Sequence, residues 1–215
     1  MTRSIRSTIV VGAAVAALAL GVADAPGALA AKAPTYNSTC TMSGQTMITG
    51  GKAYVCVSKT EGATPRWDKG TTVTSSDLTI TDGWAKAADE GNSAVFGMLR
   101  NPTSKPIRVI GAASPYSSVV QLHEVVMKDG SMVMQQKEGG FTIPANGMLE
   151  LKPGGNHLMF MGITKAITPG MMVPIKLITA DGGVFRTKVM AKPFAGANET
   201  YDGGMSGDMN SMSGM

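Results

Sequence analysis

From Leu78 onward the chain is cut into short apolar runs by turn-forming residues, and no stretch sustains a 3.6-residue period. The runs cover 78–80, 93–99, 107–112, 119–127, 132–135, 148–151, 157–161, 172–179 and 184–190. Between them stand Asn101-Pro102, Ser114-Pro115, Lys152-Pro153-Gly154-Gly155 and Asp181-Gly182-Gly183, which strands cannot accommodate and turns require. About nine short strands at this spacing predict an all-β sandwich or barrel. Residues 85–90 are expected to add one short helical turn.

One hairpin can be read in register. Asp129-Gly130 is a two-residue turn signal flanked by Val125-Val126-Met127 and Ser131-Met132-Val133-Met134. That turn sets Lys128 opposite Ser131, Met127 opposite Met132, and His123 opposite Gln136. Met134 then becomes a same-face diagonal neighbour of His123. A three-residue turn would shift the register and separate the two faces. Downstream, His157 and Met159 are two residues apart, so a strand turns both to one side and turns Leu158 and Phe160 to the other, toward the core.

His123 and His157 are the chain's two histidines, and each has a methionine partner, Met134 and Met159. Thioether sulfur and neutral imidazole are the donors that monovalent copper prefers, whereas hard cations take carboxylate and carbonyl oxygen. Each residue alone reads first as core filler or as a hydrogen-bonded structural histidine. The four together point to Cu(I), provided the two segments are neighbours. The expected site is shallow, on an exposed face where truncating His123 or Met134 costs little packing. Imidazole must be neutral to bind, and its ordinary pKa is near 6.5, so affinity is expected to fall below about pH 6. Met127, Met132 and Met161 are candidates for a surrounding collar or relay.

The array is His-x10-Met-x22-His-x-Met, carried by His123, Met134, His157 and Met159. Around it stand LHE, KDGSMVM, IPANG and LKPGGNHLMFMG. In these features residues 77–194 resemble the bacterial extracytoplasmic copper chaperones called PCu(A)C. The resemblance implies a cupredoxin-like Greek-key β-sandwich and Cu(I) held by those four side chains. It also implies a copper-accepting partner, such as the copper subunit of cytochrome oxidase or its assembly factors. Copper sequestration in the envelope and a metal-free structural domain are the alternatives.

The rest of the chain agrees with an exported protein. Arg3 and Arg6 precede an apolar run over 8–22, and Ala28-Leu29-Ala30 is a small-x-small cleavage site, so 1–30 reads as a signal peptide. Its removal leaves 17 basic and 14 acidic residues out of 19 and 15, a net charge of +3, too small and scattered for nucleic acid. No later stretch is apolar enough to span a bilayer. Residues 31–76 are polar and hold Cys40 and Cys56, read as a disulfide around a Gly50-Gly51 hairpin. A redox pair or extra copper thiolates are the competing readings. Cys40, Gly44, Gly51, Tyr54, Cys56 and Trp67 resemble a small disulfide hairpin of exported actinobacterial proteins.

The tail, 195–215, is expected to be disordered. Its Met205, Met209, Met212 and Met215 read either as a flexible thioether arm for Cu(I) or as compositional accident. Enzyme chemistry is not expected. A nucleophile needs a positioned base, and blue copper usually needs a cysteine ligand that residues 77–194 lack.

Overall fold

The structure is a computed structural model that describes residues 31–60 and 62–195 and the backbone of Thr200–Tyr201. The expected signal peptide therefore lies outside the described residues, as do the four tail methionines. No helix among the described residues is long and apolar enough to cross a membrane.

A small N-terminal sheet comes first. Its strands are β1 (Thr46–Thr49), β2 (Lys52–Val57), β3 (Arg66–Trp67) and β4 (Thr71–Thr72), with β1, β3 and β4 all paired to β2. The β1–β2 hairpin turns on Gly50-Gly51 and sets Met47 opposite Tyr54. Cys40 and Cys56 form the disulfide, their Cα atoms 6.2 Å apart, and the described residues hold no free cysteine. This sheet does not fold back on itself. Ala53 and Val55 form a buried cluster with Ile178 of the main body, joined by half-buried Val73 and Ile110.

The main body comprises β5 (Thr74–Ser75), β6 (Thr79–Lys86), β7 (Ser93–Arg100), β8 (Ile107–Ser114), β9 (Ser117–Lys128) and β10 (Ser131–Gln136). It continues with β11 (Phe141–Ile143), β12 (Met148–Leu151), β13 (His157–Phe160), β14 (Met172–Thr179), β15 (Gly183–Lys192) and β16 (Thr200–Tyr201). Strands β8, β14, β15, β6, β7, β13 and β9 follow one another edge to edge, and β9 returns to β8, so the sheet closes on itself. Closure removes the open edges that a flat sheet would expose to other chains. The interior holds Phe141, Phe160, Leu99, Leu122, Leu158, Ile143 and Leu177, all buried. The fold is the all-β class expected.

Two expectations fail locally. Residues 85–90 form no helical turn: Ala85 and Lys86 end β6, paired with Ala191 and Lys192 of β15, and Ala88 bridges to Ile167. Ala85 is wholly buried, and its sheet partners outweigh the helix propensity of an alanine-rich stretch. Within the tail, Thr200–Tyr201 pairs parallel to Val133 and Met134 on the outer edge of β10.

The disulfide links positions 16 apart in sequence, in a segment whose only buried cluster among the described residues is shared with the main body. Loop-closure entropy assigns such a cross-link about 3 kcal/mol. Cys40→Ser/Cys56→Ser is expected to lose roughly that much unfolding free energy in urea titration. Unchanged stability would show that the main body alone sustains this segment.

Candidate functional site

Strand β9 carries the site because it is long enough to be shared. Its first part lies between β8 and β13, and its second part pairs with β10. The turn that places β10 is the expected two-residue one. Asp129 and Gly130 have φ values of 51° and 79°, and the pairs are Lys128 with Ser131, Met127 with Met132, and His123 with Gln136.

On the opposite edge of β9, His157 of β13 pairs directly with His123, and Met159 pairs with Gln121. Direct partners in a sheet share a face, as do residues two apart. His123, Met134, His157 and Met159 therefore all project from one face, joined by Gln121. Leu122 and Leu158, also paired, turn to the other face and enter the core. The imidazole centroids of His123 and His157 are 5.4 Å apart. Met134, His157 and Met159 line a pocket of about 190 Å³ together with Phe96, Lys86 and Asn92. Phe96 stands 6.1 Å from the His157 ring and stacks on Trp84 at 4.6 Å.

The site is not on an exposed face, as the sequence reading had it. His123 is 0% exposed, His157 and Met134 are 3% exposed, and Met159 is 9% exposed. The cause is tertiary: β13, β10 and the N-terminal segment all crowd onto β9, which no hairpin taken alone reveals. Met127 and Met132, at the hairpin tip, stay exposed.

Both imidazoles are oriented by hydrogen bonds. His157 Nδ1 donates to the Gly155 carbonyl at 2.9 Å, so its lone pair resides on Nε2. His123 Nε2 lies 2.7 Å from Gln121 Oε1. Burial, and secondarily the adjacent His157, lower the pKa of His123 to about 3. Its protonation thus falls far below the pH 6 range inferred from ordinary imidazole, because desolvation penalises the charged ring. Such a face offers two imidazole rings and two thioethers without a carboxylate. That donor set fits a soft monovalent ion and does not fit a hard divalent one. Among the described residues no cluster of three or more His, Cys, Asp or Glu side chains forms a metal site.

The sequence reading missed Gln121 and Phe96. Gln121 carried a signal, since it is two residues from His123 and so shares its face. Phe96 carried none, because only the pairing of β7 with β13 brings it to His157.

A family model for LpqE-like proteins matches residues 78–191, just over half of the chain. The chain belongs to the LpqE-like family. The protein Lxx21020 of Leifsonia xyli subsp. xyli is 41% identical over 124 residues, which span 58% of this chain and 75% of that protein. The word lipoprotein stands in both names. Among solved structures, the LpqE-like chain is similar to the copper-bound PCuAC domain from PmoF2, at 20% identity and a TM-score of 0.46. That similarity covers 56% of this chain and 97% of the PmoF2 domain. It is also similar to apo-DR1885 from Deinococcus radiodurans, at 24% identity and a TM-score of 0.43, over 74% of this chain and 95% of that one.

Two expectations follow from the burial. Met134→Ala should lower unfolding free energy by about 2–5 kcal/mol, whereas Met134→Leu, which removes the sulfur and keeps the volume, should cost less than about 1.5. Equal, small losses in chemical denaturation would mean that Met134 is not packed as described.

The second concerns acid. The folded pKa of His123 is below its unfolded value, so the unfolded chain takes up the proton first. Stability is then full above about pH 6.5 and declines toward pH 3, by up to about 1.4 kcal/mol per pH unit from this group. His123→Gln should flatten the decline between pH 6.5 and 4 in urea unfolding of the metal-free protein. An identical slope would refute the assignment.

Proposed function

We propose that this protein is an extracytoplasmic Cu(I) chaperone of the PCu(A)C type, which carries the ion through His123, Met134, His157 and Met159. The observation that carries the reading is the shared face of β9, β10 and β13. Two imidazoles and two thioethers meet there, beside a pocket open to three of them. Neutral ligands suit an ion of single positive charge, and thioethers exchange readily, so the ion can be passed on. The protein is a carrier, not a catalyst: copper is its cargo. The acceptor is a copper-accepting protein, with the copper centre of cytochrome oxidase or its assembly factors as the candidates. Export is supported by the signal-like N-terminus, the disulfide and the word lipoprotein in the family's name.

Titration with Cu(I) under anaerobic conditions against a competing chelator tests the reading. One tight ion per chain is expected, with nitrogen and sulfur both present in the X-ray absorption spectrum. Met134→Leu and Met159→Leu should each weaken binding at least about tenfold, an effect reached even when outer partners of metal ligands are lost. Wild-type affinity in both variants would exclude these residues as ligands. Several weak ions in place of one would favour storage over delivery.

A further inference from the structure

We propose that the N-terminal disulfide segment is a positioning element for the copper-ligand set: Ser43 orients the amide of Gln121, and Gln121 fixes the tautomer of His123. This rests on the Cu(I) reading above for its functional meaning, though not for its geometry.

Gln121 is 2% exposed, and the two ends of its amide bond with opposite polarity. Its Nε2 donates to the Ser43 carbonyl at 2.8 Å, which fixes which end of the amide is oxygen. A reversed amide would set oxygen against oxygen. The Oε1 so oriented lies 2.7 Å from His123 Nε2. Amide oxygen only accepts, so Nε2 of His123 carries the proton and Nδ1 carries the lone pair. His157 is held the other way round, with Nδ1 protonated against Gly155 and the lone pair on Nε2. The two histidines thus present different nitrogens, each chosen by its outer partner.

The segment that supplies Ser43 is itself tied down. Gly44 N–H donates to the Cys56 carbonyl at 2.9 Å, and Gln45 Oε1 accepts from Thr41 N–H at 3.1 Å. The Cys40–Cys56 disulfide closes the same loop. Gly44 has φ +89°, and a Cβ there would lie 2.7 Å from Gln121 Cγ. Glycine is what lets this backbone approach closely enough for the Ser43 carbonyl to reach the amide. The 78-residue separation between Ser43 and Gln121 means that no local rule produces the contact.

The tautomer is read without metal, by long-range ¹H–¹⁵N correlation of the histidine rings in the purified protein. The wild type should show His123 protonated at Nε2. Gln121→Leu should mix or invert that tautomer and weaken Cu(I) binding roughly tenfold or more. Gly44→Ala, whose Cβ would press on Gln121 Cγ, should reproduce the Gln121→Leu tautomer change, and an unchanged backbone amide spectrum for β9 and β13 in either variant guards against a folding defect. A wild type protonated at Nδ1, or a Gln121→Leu protein with unchanged tautomer and unchanged Cu(I) affinity, overturns the proposal. A wild type that binds no Cu(I) would instead remove the copper reading, while the tautomer difference between wild type and Gln121→Leu would still carry the positioning role.

Discussion

The pairing of His157 with His123 across β9 and β13 is the contact on which the rest of the site depends. Sheet geometry makes direct partners share a face, so this single register sends both imidazoles one way and Leu122 and Leu158 the other. Slipping β13 by one residue would put His157 in the hydrophobic core and Leu158 in the pocket. Moving the imidazole in beside Phe160 would strip it of the hydrogen bond that the Gly155 carbonyl now accepts, and an unpaired buried ring nitrogen is costly, so the register is strongly specified. The core and the site therefore hold each other in place through the two faces of the same strands.

Burial of the site follows from closure of the sheet. A hairpin standing alone would leave His123 and Met134 in water. Here β9 is flanked along its length by β8, β13 and β10, and Gln121 is covered by the N-terminal segment. The consequence is electrostatic as much as steric. His123 stays neutral far below the ordinary imidazole range, and a neutral ring is the form that offers a lone pair. The exposed methionines, Met127 and Met132 at the hairpin tip, lie on the same face at the outer end of the hairpin, where strand pairing no longer covers them.

The N-terminal segment has the composition of a polar, disulfide-held appendage, yet it shares a buried cluster with β14 and its loop bonds to Gln121. Its small sheet cannot bury enough apolar area alone. Packing Ala53 and Val55 against Ile178 supplies what it lacks, and that docking brings Ser43 over the ligand face.

The sequence alone determined the strand class, the turn at Asp129-Gly130 with its register, and the parity that groups His123 with Met134 and His157 with Met159. All of these rest on interactions within a few residues, where periodicity and turn chemistry decide. It did not determine the short strands β3, β4, β5 and β11, whose two or three residues pair only because distant partners are already in position. Nor did it determine that β13 lies beside β9, that Phe96 reaches His157, or that Ser43 meets Gln121. Those contacts join residues tens of positions apart, and only the closed sheet brings them together. Burial of the four donors belongs to the same class: it is a property of everything packed around a side chain, and no side chain encodes its own surroundings.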